Sequence, residues 1–388
     1  VEDIVHGPVT GVPPGAAGAP LDPVPLLQAL IRLPSCDPPG GELAVARHVQ
    51  GVLQAAGIES VLDEFLPGRA NVLARVAGRG ERPALVFSAH LDTLPPGAGW
   101  SFDPFEGGVR DGRVRGRGAA DMKSAVAAFV AAAGMLAKRR VPLAGDVLVL
   151  LTAGESADCI GARRFRDQGM QARIGAFLCG EPSGLDLVVA EKAILWLRLT
   201  ARGRVGHVSG DGGVNAILRM GEALAALQGL RLETPAHPLL GPASLSVGRI
   251  AGGTAVNLTP DLCTAEIDIR FAPGLPPEAV EAQVAAVLPE AVSLARMDFK
   301  PAVEEPAGSP FLAACAAAVT AETGRVPDRL GVSYYSDAAI LLDGHNAPFA
   351  ICGPGRIGMS GMPDETVDAE DVRRAARIYA GVAEAWLG

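Results

Sequence analysis

Residues Ala84 to Asp92 read ALVFSAHLD, Gly116 to Lys138 read GRGAADMKSAVAAFVAAAGMLAK, and Asp146 to Glu155 read DVLVLLTAGE. The apolar run Ala84 to Ser88 is short and shows no polar alternation, the pattern of a strand buried on both faces. Ala119 to Lys138 is alanine-rich and helical. Asp146 to Leu151 is a second buried strand, followed by a loop over Thr152 to Gly161. A third, Ile174 to Leu178, runs into Cys179-Gly180-Glu181-Pro182. Apolar strands alternating with helices predict an α/β domain with a mostly parallel sheet flanked by helices. His90, Asp92, Glu155 and Glu181 all follow the carboxyl end of such a strand, where open α/β sheets place their sites.

Outward from this stretch, helical spacing covers Leu26 to Leu33 and Gly41 to Ala56, and later Phe311 to Thr323 and Asp368 to Leu387. Between them the pattern changes. Ile194 to Thr200 alternates apolar and polar residues, as a half-exposed strand does. Val214 to Leu230 and Pro277 to Leu288 read as helices, and Ser244 to Ile250 and Cys263 to Phe271 as strands. This is an inserted α+β unit with an antiparallel sheet. The expected organisation is a loose Gly-Pro-rich tail over 1–20, a first domain over 21–192 and 300–388, and the inserted domain over 193–299.

A chain of 388 residues, 49% hydrophobic, suits two domains with sizeable cores. The formal net charge of -9 disfavours nucleic acid, whose phosphates need clustered basic residues. The six cysteines form no CxxC pair, so neither a zinc finger nor a disulfide framework is expected. Ala125 to Ala137 is too short to span a bilayer, and no basic-then-apolar leader is present. A cytoplasmic protein without nucleic-acid or membrane partners is the expectation.

The chemistry sits in a few carboxylates and one imidazole. In His90-Leu91-Asp92 a carboxylate two residues from an imidazole suits the support of a metal-ligating histidine. Alone the pair is weak; a polar pair at a strand end reads the same. Asp121 stands where a Gly-rich turn opens a helix, also the place of an ordinary helix-capping acid. Taken with His90, Glu155 and Glu181, each at the end of its own strand or turn, it points to a metal centre.

These motifs carry a resemblance. WSFDPFEGGVRDGRVRGRGAADMK from Trp100 to Lys123, with SAHLDT, CGEPS and GGTAVNLTPD, is similar to the zinc-dependent family of aminoacylases, acetylornithine deacetylase, succinyl-diaminopimelate desuccinylase and bacterial glutamate carboxypeptidase. The likeness runs from about residue 22 through nearly the whole chain. It implies a catalytic domain for two metal ions and an inserted lid domain that dimerises. By position, His90, Asp121 and Glu181 resemble the ligands of one zinc, with Asp121 bridging to a second. Asp92 resembles the carboxylate that orients His90, and Glu155 the general base. In the lid, His207 resembles the residue that polarises the scissile carbonyl, Asn257 a substrate contact, and Arg270 the arginine that holds a substrate carboxylate. For His207 a plain surface-loop histidine competes, and for Arg270 a salt bridge with Asp268, two residues away on one strand. Ser336-Asp337-Ala338 resembles a loop beside the site.

The departures fall on one half of the centre. The family's Asp-Glu-Glu-x-Gly reads here Gly154-Glu155-Ser156-Ala157-Asp158, so Ser156 replaces a ligand of the second ion. Gly361 stands where the family has its other private ligand, a histidine. Asp158, Cys159, His345 and Cys352 are the possible substitutes. The resemblance implies hydrolysis of an amide in an N-acyl amino acid or small peptide-like substrate, with one tight zinc. Two rivals stay open: a non-hydrolytic step such as acyl transfer or cyclisation, and a catalytically silent amino-acid-binding protein. A homodimer is expected, with Ile194 to Thr200 supplying the strand edge and Val214 to Leu230 the apolar face.

Overall fold

The computed structural model describes residues 21–388, so the expected tail over 1–20 lies outside the described residues. Two compact units are present. The first holds the described residues up to Val189 together with Glu305–Leu330 and Ser336–Gly388; the second holds Ala190–Glu304 and Gly331–Tyr335.

In the first unit the strands Val147–Thr152, Ala84–His90, Ile174–Cys179 and Phe349–Ile351 lie side by side and run parallel. All but Gly175 of their residues are buried. The hairpin Glu59–Leu66 and Arg69–Val76 adds antiparallel strands on the Val147–Thr152 side. The sheet is therefore mixed, with a parallel centre. Register aligns the carboxyl ends: His90 is opposite Thr152, and Ser88 and Ile351 are each opposite Cys179. The loops that leave these strands therefore start at one edge of the sheet.

The helix Lys123–Arg139 packs against Ala369–Leu387 and Pro23–Ile31. Phe129 stacks on Phe87 and Tyr379 at ring-centroid distances of 4.9 and 4.2 Å. The Tyr379 hydroxyl donates to the Cys352 carbonyl, so this large buried aromatic leaves no stranded polar atom. Among the described residues no helix is long and apolar enough to cross a membrane.

In the second unit four antiparallel strands lie in the order Ser244–Gly252, Leu262–Phe271, Ala193–Arg202, Val292–Lys300. Burial alternates along Leu262–Phe271, giving one apolar face. Leu195, Leu197, Leu199, Ile267 and Ile269 form its core with Met220 and Val280 of the helices Ala216–Gly229 and Pro277–Ala285. One expectation is corrected here. Ile194 to Thr200 is not an edge: both its neighbours are occupied, and the sheet ends instead at Ser244–Gly252 and Val292–Lys300.

Candidate metal centre

His90 closes its strand with its ring fixed at both nitrogens. Nδ1 lies 2.9 Å from the Asp92 carbonyl oxygen, to which it donates. That leaves Nε2 facing the carboxylates, at 3.0 Å from Asp121 Oδ1, 3.6 Å from Glu181 Oε1 and 3.9 Å from Glu155 Oε2. The ligand atoms of His90, Glu155 and Glu181 lie within 4.8 Å of one another, all three residues buried. Three carboxylates singled out from the sequence thus converge on the His90 imidazole nitrogen, and Glu155, rather than Asp121, completes the close group with Glu181.

The Asp92 carboxylate does more than face His90. It sits 3.6 Å from Nδ1, but its hydrogen bonds come from the backbone N–H groups of Glu155 and Ser156 at 3.1 and 3.0 Å. Asp92 therefore ties the Glu155 turn to the end of the histidine strand.

The Asp121 turn is held from the far end of the chain. Glu365 accepts from the N–H groups of Ala120, Asp121 and Gly118 at 2.7, 3.0 and 3.2 Å, and from Arg117 Nη1 at 2.7 Å. These amides are spent on a carboxylate. The helix accordingly begins at Lys123 rather than at Ala119. Arg117 Nη2 also donates to the Gly361 carbonyl at 3.1 Å, so one buried ion pair fixes both the Asp121 turn and the 360–365 loop. Nothing in the local sequence joins residues so far apart.

The electrostatics reflect crowding. Burial pushes the Glu155 and Glu181 carboxyls well above the usual range. Burial alone would lower His90, but Asp92, Asp121 and Glu181 outweigh it and raise the imidazole well above its ordinary value. Burial would raise Asp121, yet its contact with His90 and the Ser360 hydroxyl hold it below the usual carboxylate range. A further buried carboxylate adds to the crowd. Asp337 accepts the Thr152 hydroxyl on Oδ2 at 2.5 Å, its Oδ1 has no partner, and burial pushes it up to about 6. The resemblance set Ser336-Asp337-Ala338 beside the site without a role; the contact itself depends on strand register, which puts Thr152 beside His90.

Several buried acids around one imidazole nitrogen suit a divalent cation, and the nitrogen-and-oxygen donor set fits zinc. The positions that the resemblance assigns to a second ion's own ligands offer it little. The Ser156 amide is taken by Asp92, Gly361 has no side chain, and Asp121 Oδ2 already accepts from Ser360. Among the described residues, Asp158, Cys159, His345 and Cys352 join no close group of potential ligands. The one other such group, Asp37, Glu42 and Asp92, already has a cation: Arg69 bonds Asp37 at 3.0 Å and Glu42 at 2.7 Å. Arg69 also explains Gly154. With φ +69 there, a Cβ would lie 2.5 Å from Arg69 Nη2 and 2.9 Å from Ile160 Cγ1, so a side chain would have to displace Arg69 from its carboxylates.

The second unit brings two more of the expected residues together. His207 Nε2 is 3.3 Å from Asn257 Nδ2, and its Nδ1 is 2.6 Å from Ser209 Oγ, all exposed. Arg270 makes the competing salt bridge, through Nε and Nη2 to Asp268 at 2.9 and 3.0 Å, and its Nη1 donates to the Ser333 carbonyl at 2.7 Å.

Known proteins resemble this chain over most of its length. The model of peptidase family M20/M25/M40 matches residues 86–385. A succinyl-diaminopimelate desuccinylase of Rhodospirillum centenum is 35% identical over 388 residues, covering 94% of this chain and 97% of that protein. An M20 family metallo-carboxypeptidase from Sulfolobus solfataricus has the same fold, with TM-score 0.79 at 16% identity over 94% of this chain and 99% of that one. A dinuclear metal-binding M20 peptidase from Bacillus subtilis aligns with TM-score 0.69 at 19% identity, over 94% and 97%. On the extent of these matches, the chain belongs to peptidase family M20/M25/M40 and is a metal-binding hydrolase of amide bonds.

Proposed function

We propose that the chain cleaves the amide of an N-acyl amino acid with a single zinc ion, held by His90, Asp121 and Glu181. The observation that carries this is the convergence of the Asp121, Glu155 and Glu181 carboxylates on His90 Nε2; Ser156 and Gly361, where the resemblance sets a second ion's ligands, support the single ion. When bound there, zinc would supply Lewis-acid polarisation of the scissile carbonyl and would lower the pKa of water. Glu155 takes the proton of the attacking water and returns it to the leaving amine. Its burial raises its proton affinity, which suits a group that must accept and then donate. Asp92 keeps that carboxylate in place through the Glu155 and Ser156 amides. By the resemblance, His207 is the proposed donor to the developing oxyanion, once Asn257 yields its Nε2, and Asn257 a substrate contact. Arg270 is the proposed partner of a substrate carboxylate.

The presence of Glu155 at the imidazole supports hydrolysis over a silent binder. An N-succinyl amino acid is the first substrate to try, because a 35% identical relative is a desuccinylase. The proposal includes a cytoplasmic homodimer without nucleic-acid or membrane partners. Its dimer edge is Ser244–Gly252, nearly all of it exposed, with the exposed Ile217 of the helix Ala216–Gly229 beside Gly252. The test is Glu155→Gln. Losing a general base should lower kcat by about 10²–10⁴-fold while zinc content is retained. Near-normal turnover in a zinc-loaded Glu155→Gln protein would refute the assignment.

A further inference from the structure

On the one-ion reading above, Asp121 keeps an oxygen that a second ion would otherwise share. Oδ1 faces His90 Nε2 at 3.0 Å, and Oδ2 accepts the hydroxyl proton of Ser360. We infer that Ser360 takes the second ion's place on Asp121: one hydroxyl donor engages the bridging oxygen and closes the centre at a single ion.

The backbone on both sides of this contact is hydrogen-bonded to one ion pair. Arg117 donates to the Gly361 carbonyl and to Glu365, and Glu365 accepts from the Ala120 and Asp121 amides. The same buried ion pair thus fixes the backbone of the carboxylate and the loop that carries the hydroxyl. Next to Ser360 no ligand competes. Gly361 has φ +73, where a side chain would be strained, and a Cβ there would meet Leu94 Cδ1 at 3.2 Å.

Charge balance favours the same arrangement. A hydroxyl satisfies a carboxylate oxygen without adding charge, through a hydrogen bond of the stronger, charge-assisted kind. A second dication would have to break that bond and would find only the neutral Ser156 and the bare Gly361 as further partners. With Ser156 and Gly361 at the second ion's positions, the Ser360 donor stands on the oxygen that such an ion would share.

Cobalt(II) titrated calorimetrically into the metal-free full chain tests this. Wild type should show one tight site. Ser156→Glu, which restores a carboxylate, should gain only a weak second site. Ser156→Glu/Ser360→Ala should bind the second ion about tenfold more tightly or better, the scale of one charge-assisted hydrogen bond. Ser156→Glu/Ser360→Thr keeps the hydroxyl and should match Ser156→Glu. Equal second-site affinity in the Ala and Thr forms would overturn the inference. So would weaker binding in the Ala form, which would make Ser360 a ligand. If circular dichroism shows that Ser156→Glu does not fold, the same comparison runs on wild type, Ser360→Ala and Ser360→Thr at millimolar cobalt. Two tight sites or none in wild type would defeat the one-ion reading itself, whereas one tight site with Ser360 indifferent would defeat only this inference.

Discussion

The Asp337 carboxylate has one oxygen on the Thr152 hydroxyl and the other without a partner, in a site already crowded with acids. Burial pushes it up to about 6 from an ordinary 3.8. The folded state thus holds the proton more tightly than the unfolded one. The stability this contributes is complete below about pH 4 and is lost as pH rises through about 6. In chelator-treated protein the melting temperature should fall across that window. Asp337→Asn, always neutral, should flatten this part of the slope, by at most about 3 kcal/mol. An unchanged slope in Asp337→Asn would mean that other groups carry it. Arg270 has two claims on it. Arg270→Lys keeps the charge and loses the paired donors that Asp268 uses and that a substrate carboxylate would use. If Arg270 binds substrate, KM should rise by about tenfold to over a hundredfold, the cost of a charged hydrogen bond. A shift in unfolding with KM unchanged would leave Arg270 a structural partner of Asp268. At this scale the sequence showed His90, Asp121, Glu155 and Glu181 clearly, because each follows its own strand or turn. It did not show Arg69 or the role of Asp337, whose partners lie 32 and 185 residues away.

Strands were legible where apolar runs were uninterrupted, as at Ala84–His90 and Val147–Thr152. The hairpin Glu59–Leu66 and Arg69–Val76 escaped notice because charged residues break up its apolar pattern. The alternation in Ala193–Arg202 revealed one buried face. It carried no information about neighbours, and the strand proved interior. Pairing is a long-range property, and periodicity reports only faces. The free edge at Ser244–Gly252 presents Val247 and Ile250, 40% and 52% exposed. A dimer built on this edge would bury them. Ile250→Lys should therefore shift the protein from dimer to monomer in light scattering at micromolar concentration. A dimer unaffected by this change would place the interface elsewhere, and a monomeric wild type would remove the dimer from the account.

For the molecule as a whole, the first unit's metal centre joins parts of the chain from His90 to Glu365, assembled by aligned strand ends and by the Arg117–Glu365 pair. The family likeness spans the matched residues; on the proposed assignment His90, Asp121 and Glu181 hold one ion, and Ser156 and Gly361 stand where the resemblance sets the other's ligands. The central claim is that this chain works with one ion. Elemental analysis of the purified protein after exhaustive dialysis, normalised to chain concentration, measures it. The account expects one zinc per chain, retained with amidase activity and removed only by strong chelators. Two tightly held ions per chain, or full activity with none, would contradict it.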